Sequence, residues 1–158
     1  MIDIFSSAYV PYCSSDVYSG TRNASAETGN RYFYGKYIVK AIIADLIENT
    51  WITEAEEVVL YGASAGGFGT ECNCDLLADQ LHAINPEIKV KCISDSGTIY
   101  PFNTHSEGCF PHVLQYSFFQ AWHGVSDESC LEENPDGFDC IRFKTNTTFR
   151  SYGNSLRC

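Results

Sequence analysis

The sequence predicts an α/β protein built on a parallel β-sheet, with a serine at the turn between a strand and the following helix. Three observations support this prediction. Helix-like and strand-like segments alternate between residues 32 and 97, short connections join them, and the string Gly62-Ala-Ser-Ala-Gly66 directly follows a strand. Such alternation is typical of parallel strands joined by crossover helices. No repeat or low-complexity linker divides the 158 residues, so we expect residues 1–158 to form a single domain.

Four segments make up this pattern in chain order. Residues 32–49 repeat apolar side chains at helical spacing and predict an amphipathic helix. Residues 58–62 are a β-rich run that predicts a buried strand. Residues 67–84 return to helical spacing before Pro86, and residues 88–94 alternate as a second strand does.

The flanking segments carry weaker patterns. Residues 16–31 are mostly small and polar with several turn formers, and they predict a surface loop. Beyond Thr98, residues 112–122 are a candidate helix. The acidic stretch from Ser126 to Gly137 is interpreted as a loop.

The composition excludes several classes of partner. Ten basic residues against 20 acidic ones give a net charge of −10, which repels nucleic acid and anionic membrane surfaces. No apolar run approaches the roughly 18 residues of a transmembrane helix, so no membrane span is expected. Hydrophobic residues at 44% and charged residues at 19% are typical of a folded globular chain.

Cysteines and glycosylation sequons favour an oxidising, secretory environment. The chain has eight cysteines but no C-x-x-C pair, so we expect neither a metal nor another cofactor. Two sequons begin at Asn23 and Asn146, which are candidate N-glycosylation sites. The N-terminus lacks the basic and long apolar regions of a signal peptide. We therefore expect a secreted protein whose leader precedes Met1, and a chain that is part of something longer.

Two disulfides are expected. Cys130 and Cys140 flank an acidic loop with few apolar residues, and closing that loop would restrict the unfolded chain. Cys74 and Cys92 are a second candidate pair, because the helix that carries Cys74 must pack on the strand that carries Cys92.

Ser64 lies in a string that fits the G-x-S-x-G pattern of a nucleophile elbow. In such an elbow the serine occupies a strained strand-to-helix turn, so its neighbours must be small, and here they are glycine or alanine. The turn exposes the hydroxyl and directs the first helix amide, Ala65 N–H, toward an oxyanion formed beside it. We therefore interpret Ser64 as a nucleophile and Ala65 N–H as part of an oxyanion hole.

The acid and base that a serine needs are less defined. In this architecture they follow the serine, acid first and histidine last. Asp95 ends the second predicted strand, and the chain order permits a triad of Ser64, Asp95 and His123. The alternative is that both groups follow Cys158. The remaining histidines are His82, on the helix after the elbow, and His105 and His112.

Several segments together resemble the pectin acetylesterase/Notum family, and they cover nearly the whole chain. They are Tyr12-Cys-Ser-Ser-Asp-Val-Tyr-Ser-Gly20, Gly62-Ala-Ser-Ala-Gly-Gly67, Asn73-Cys-Asp75, Lys91-Cys-Ile-Ser-Asp-Ser-Gly97, and Trp122-His-Gly124 with Cys130 and Cys140 after it. Asp16 and Asp95 match positions of these motifs, and we expect both to be buried carboxylates hydrogen-bonded to loop amides.

The resemblance implies a partial α/β-hydrolase fold, incomplete at both ends, with Ser64 as nucleophile and Ala65 N–H in the oxyanion hole. It implies that an oxyanion segment rich in glycine precedes Tyr12 and that the acid and histidine follow Cys158. It assigns neither role to Asp95 or His123.

The resemblance leaves two substrate classes, acetylated polysaccharide and acylated protein. Thr98-Ile99 and Ile141-Arg142 stand where the lipid-acyl branch of the family carries aromatic residues, which lowers the expectation of a fatty-acyl substrate. The loop that ends at Gly20 favours the animal, protein-directed branch.

Three functions remain in competition. The first is a secreted carboxylic-ester hydrolase acting through an acyl-serine intermediate. The second is a catalytically inactive fragment or pseudoenzyme that at most binds glycan or acylated protein. The third is a disulfide-stapled structural module, which leaves the elbow unexplained.

Overall fold

The computed structural model describes residues 5–97 and 119–133. Its elements are α1 (Gly35–Asn49), a 3-10 turn (Ile52–Glu54), β1 (Glu57–Ala63), α2 (Ala65–His82), β2 (Lys89–Asp95) and α3 (Glu128–Glu133). The four predicted elements are confirmed in type and order. Of the helix expected at residues 112–122, residues 119–121 are helical, Trp122 lies in a turn, and residues 112–118 lie outside the described residues.

The two strands form a parallel pair in the predicted order. Glu57 lies opposite Lys89 and Ala63 opposite Asp95, with α2 as the crossover between the strands. Both strands therefore end at the same edge, where β1 passes into α2. Ligands of α/β proteins bind at the carboxyl ends of the strands, so we expect a ligand-binding or catalytic site at this edge.

The core lies between one face of this sheet and the helices α1 and α2. It consists of Val39, Ile43, Leu77, Ala78, Leu81, Ile88, Val90 and Cys92. On the opposite face Val59, Tyr61 and Ile93 are exposed, Tyr61 by 60%. The prediction of a buried first strand is therefore wrong for the described residues, because their helices pack against one face only. Along β1 exposed and half-buried positions alternate, and in β2 only Val90 and Cys92 are buried.

Asp16 fixes both the loop before α1 and the start of that helix. Its carboxylate is fully buried and accepts hydrogen bonds from Tyr18 N at 3.1 Å and Gly35 N at 2.7 Å. A Cβ atom on Gly35 would lie 2.2 Å from Asp16 Oδ1, so that position has no room for a side chain. The expectation of a buried carboxylate bonded to amides is confirmed for Asp16. The expectation that residues 16–31 all lie on the surface is wrong, because Asp16, Ser19 and Gly20 are buried beneath the loop.

A disulfide joins Cys74 of α2 to Cys92 of β2, as predicted from the packing of helix on strand. Cys130 is also disulfide-bonded, while Cys140 lies outside the described residues, so their pairing stays a prediction. Cys13 is free and exposed. Cys72 is free and buried, and burial raises the pKa of its thiol to about 12, which leaves it protonated and unreactive.

The acidic stretch interpreted as loop contains α3, which begins at Glu128. A tertiary contact satisfies one of its first amides, because Asp75 Oδ2 accepts from Ser129 N at 2.8 Å. The first hydrogen bond of the helix itself runs from Leu131 N to the Asp127 carbonyl at 3.1 Å. In return, Asp127 Oδ2 accepts from Asp75 N at 3.0 Å. None of the described helices is both long and apolar enough to cross a bilayer.

Candidate active site

Ser64 lies between the last residue of β1 and the first residue of α2. Its backbone torsions are φ +55° and ψ −118°, outside the regions that a residue with a side chain ordinarily occupies. The residue is exposed at the sheet edge where both strands end. The predicted geometry, an exposed serine on a strained strand-to-helix turn, is therefore present.

Close backbone approach explains why this turn needs glycine. A Cβ atom on Gly62 would lie 2.1 Å from the carbonyl oxygen of Gly66, and one on Gly67 would lie 2.7 Å from Gly97 Cα. A Cβ atom on Gly66 would meet nothing within 4 Å. Gly62 therefore lets the first turn of α2 fold back on β1, and Gly67 lets that turn touch the segment after β2.

A backbone hydrogen bond ties the turn to the second strand. Ser64 N donates to the carbonyl oxygen of Asp95 at 2.8 Å, and Phe68 N donates to the carbonyl oxygen of Ser64 at 3.2 Å. The Ser64 N–H is thus held by β2 and its carbonyl by α2, while the residue stays exposed. This anchoring is what a strained conformation needs in order to persist.

The Asp95 side chain does not behave as expected. It is exposed, and its carboxylate accepts hydrogen bonds from Tyr61 Oη at 3.1 Å and Ser96 Oγ at 2.8 Å. The expectation of a buried carboxylate bonded to loop amides is therefore wrong for Asp95, which instead turns to the open face of the sheet. Its hydrogen bond raises the pKa of the Tyr61 hydroxyl, because the carboxylate accepts the phenolic proton.

Ala65 supplies the first amide of α2. The first four N–H groups of an α-helix have no partner within the helix, and the positive end of the helix dipole adds to their attraction for an anion. The Ala65 amide follows Ser64 directly at the start of α2, where an oxyanion-hole donor is expected, and its role stays a prediction.

The two histidines of the described residues, His82 and His123, make hydrogen bonds away from Ser64. His82 lies at the far end of α2, where its Nε2 is 2.9 Å from the carbonyl oxygen of Ile88. The backbone carbonyl of His123 accepts from Thr21 Oγ1 at 2.8 Å. Among residues 5–97 and 119–133, no histidine ring is hydrogen-bonded to Ser64 Oγ, so the triad with Asp95 and His123 stays an untested arrangement; His105 and His112 lie outside these residues.

One polar cluster was missed by reasoning from the sequence. Asp75 and Asp127 are buried between α2 and α3, and Lys36 Nζ lies 4.0 Å from Asp127 Oδ1 while donating to the carbonyl oxygen of Cys72. These groups are far apart in sequence and show no shared local pattern. They lie along the side of α2 and hold α3 in place.

A parallel sheet that carries a strained, exposed serine between strand and helix defines the α/β-hydrolase class of proteins. The profile of the pectinacetylesterase family matches residues 6–141. The chain belongs to this family.

Relatives and solved structures agree with this assignment. The chain is 31% identical over 138 residues to the palmitoleoyl-protein carboxylesterase NOTUM of Homo sapiens, covering 82% of this chain and 27% of the relative. It is 33% identical to NOTUM of Drosophila melanogaster, covering 80% of this chain and 20% of the relative. The structure of the Wnt deacylase Notum from Drosophila aligns with a TM-score of 0.70 at 29% identity, over 84% of this chain and 40% of that one. The chain thus spans less than half the length of these relatives.

Proposed function

We propose that the full-length protein is a secreted carboxylic-ester hydrolase in which Ser64 is the nucleophile. The observation that supports this most directly is the exposed serine at φ +55° where β1 meets α2. A non-glycine residue in this conformation is costly, by roughly 1–3 kcal/mol, and such strain concentrates at functional sites. Membership of the pectinacetylesterase family and the carboxylesterase names of the relatives support the same activity.

The chemistry runs through an acyl-serine. Ser64 Oγ gives its proton to a base and bonds to the ester carbonyl carbon, whose oxygen takes the negative charge beside Ala65 N–H. The carbon–oxygen bond to the leaving alcohol then breaks, and the alcohol takes the proton. Water attacks the acyl-serine by the same route, which releases the acid and restores Ser64.

The base and its acid are proposed to lie in parts of the full-length protein other than the described residues. A free serine hydroxyl is a weak nucleophile at neutral pH, so it needs a positioned base. Within residues 5–97 and 119–133, the Asp95 carboxylate accepts hydrogen bonds from the hydroxyls of Tyr61 and Ser96 and from no histidine.

The substrate is an ester of one of two kinds. The relatives are named palmitoleoyl-protein carboxylesterases, which favours an acylated protein, while the family name favours acetyl groups of pectin. Thr98-Ile99 and Ile141-Arg142, the positions where the sequence departs from a lipid-acyl pocket, lie outside the described residues. A comparison of acetyl and octanoyl esters separates the two kinds of substrate.

Secretion is proposed from the covalent chemistry of the chain. Cys74 and Cys92 are joined, Cys130 is also disulfide-bonded, and stable disulfides are typical of oxidising compartments. Recovery of the full-length protein from culture medium with the Cys74–Cys92 bond intact would support this location, and retention in the cytosol would contradict it.

The second candidate is an inactive protein that binds glycan or acylated protein. It is favoured by one observation, the lack of a histidine hydrogen-bonded to Ser64 within the described part of the chain. On this alternative Ser64 would keep its strained conformation without an activating base.

Hydrolysis of p-nitrophenyl acetate and octanoate by the full-length protein tests the first proposal against the second. Ser64→Ala should abolish both hydrolysis and labelling by a fluorophosphonate probe, whereas Ser7→Ala, at an exposed serine remote in sequence, should change neither. Turnover by Ser64→Ala at the unmutated rate would refute the nucleophile. A full-length protein that neither hydrolyses esters nor takes the probe would support the inactive alternative.

A further inference from the structure

Asn23 opens a sequon at the surface of the protein. The side chain is exposed, and residues 23–25 belong to no helix, strand or turn. The loop that follows is ordered by its own hydrogen bonds, because Asn30 N donates to the carbonyl oxygen of Ser25 at 2.8 Å and Ser25 N donates to Thr28 Oγ1 at 2.8 Å. The sequon is thus presented on a fixed surface.

The base of this loop is closed on both sides of the sequon. Arg22 and Phe33 exchange backbone hydrogen bonds of 2.9 and 3.0 Å, and the Arg22 guanidinium donates to the carbonyl oxygen of Ala121 at 2.6 Å. Asn23 follows Arg22 directly, so its backbone position is anchored to the body of the domain.

The oxygen and the nitrogen of the Asn23 side-chain amide differ in their hydrogen bonds. Tyr34 Oη donates a hydrogen bond to Asn23 Oδ1. Within residues 5–97 and 119–133, no hydrogen bond is made by Asn23 Nδ2. N-glycosylation attaches sugar at the amide nitrogen and leaves the oxygen its lone pairs, so the bond to Tyr34 is compatible with modification.

Aromatic rings lie beside the amide. Tyr34 contacts the ring of Tyr32 with centroids 5.1 Å apart and that of Tyr37 with centroids 5.3 Å apart. Tyr32 is 61% exposed and Tyr37 52% exposed, although both rings are largely apolar. Exposed tyrosine faces with polar tips suit a ligand that is apolar on one face and hydroxylated at its edges, as a sugar ring is.

We propose that Asn23 carries an N-linked glycan and that Tyr34 positions the side-chain amide so that the first sugar lies against the Tyr32–Tyr37 rings. In the transfer step Nδ2 bonds to the anomeric carbon of a lipid-pyrophosphate-linked oligosaccharide. The bond from that carbon to the pyrophosphate breaks, and Nδ2 loses one proton. The proposal rests on the secretory location proposed above, since the donor and its transferase belong to that pathway.

Translation of the full-length protein behind a secretion leader in the presence of microsomes tests the site, with only the protease-protected fraction measured. Peptide N-glycosidase in heavy-oxygen water should convert Asn23 of that fraction to labelled aspartate. Asn23→Gln and Ser25→Ala should lose this label, Ser25→Thr should keep it, and Asn146→Gln should leave it unchanged. An unmodified Asn23 in the protected fraction would overturn the proposal.

The positioning role of Tyr34 is tested by the rate at which an endoglycosidase removes the Asn23 glycan. Tyr34→Phe keeps the ring but loses the hydroxyl, and we expect endoglycosidase to remove the Asn23 glycan severalfold faster from the folded variant; Tyr9→Phe, at another exposed tyrosine, is the control. Equal removal rates for Tyr34→Phe and the unmutated protein would overturn the positioning role of Tyr34. Ser64→Ala should keep the label, so loss of esterase activity and loss of the glycan are separate results.

Discussion

Asp75 and Asp127 each hold the segment that carries the other. Asp127 Oδ2 accepts from Asp75 N at 3.0 Å, and Asp75 Oδ2 accepts from Ser129 N at 2.8 Å, two residues beyond Asp127. Both carboxyls are buried, and the Lys36 ammonium lies 4.0 Å from Asp127 Oδ1. Burial, with the Asp75 charge as a second cause, raises the pKa of Asp127 to about 7.

The raised pKa makes the stability of the protein depend on pH through Asp127. The folded carboxyl has a pKa of about 7 against an ordinary value of 3.8. Its stabilising contribution is therefore fully present below the ordinary pKa and is lost as pH rises through the folded one. We expect the free energy of unfolding to fall between about pH 4 and pH 7, the interval between the ordinary and the folded pKa, with a contribution from this group on the order of a few kcal/mol.

Asp127→Asn tests this dependence, because asparagine keeps an oxygen for Asp75 N but does not titrate. Urea unfolding of the full-length variant should show a flatter pH profile than the unmutated protein. Glu56→Gln, which changes an exposed carboxyl, is the matched control and should leave the profile unchanged. An equally steep profile for Asp127→Asn would contradict the assignment.

Ser64→Gly should stabilise the protein while removing its nucleophile. Glycine adopts φ +55° without the steric cost that serine pays there, so we expect a gain of about 1 kcal/mol in the free energy of unfolding. Ser64→Ala keeps a Cβ atom and should change stability little. A destabilised Ser64→Gly would mean that the turn stores no strain at this residue.

Gly62 and Gly66 form a matched pair for testing close packing at the elbow. Gly62→Ala places a Cβ atom 2.1 Å from the Gly66 carbonyl oxygen and should destabilise by about 1–3 kcal/mol or more, because backbone must move. Gly66→Ala meets open space and should be neutral or stabilising by up to about 1 kcal/mol, since alanine favours helix. Thermal unfolding of both variants checks the difference, and equal losses would contradict it.

The Cys74–Cys92 disulfide should contribute substantially to stability. The two cysteines are 18 residues apart, and closing a loop of this length stabilises by about 3 kcal/mol on the chain-entropy model. We expect the double variant Cys74→Ala, Cys92→Ala to have a free energy of unfolding, measured in urea, that is lower by about this amount. Replacement of the free, exposed Cys13 by serine is the control. A double variant as stable as the Cys13→Ser protein would contradict this contribution.

Cys130 should be joined to Cys140. Cys130 is disulfide-bonded, and the acidic residues between the two cysteines have few apolar side chains with which to order themselves. Peptide mapping of a non-reduced digest should recover a Cys130–Cys140 peptide, and the Cys74–Cys92 peptide in the same digest is the internal control. Cys130 found joined to a different cysteine would refute the pairing.

The order of the elements and the elbow could be predicted because both depend on neighbours in the sequence. Helical spacing in residues 32–49 and 67–84, alternation in 88–94 and the stop at Pro86 are local patterns. The strained turn at Ser64 is also local, since it requires small residues within two positions. The Cys74–Cys92 pair could be predicted from the sequence because α2 directly precedes β2 and must pack on it.

Tertiary contacts decided the remaining features. Asp16 and Asp95 both belong to family motifs, yet one is buried under the start of α1 and the other is exposed at the sheet edge. The hydrogen bond from Ser129 N to Asp75 Oδ2 spans 54 residues, and it satisfies a first-turn amide of the helix that forms in a stretch predicted to be acidic loop. Whether a carboxylate is buried depends on whether amides from distant parts of the chain donate hydrogen bonds to it. The first amides of a helix likewise depend on acceptors from distant parts of the chain. Local periodicity in the sequence carries no information about either.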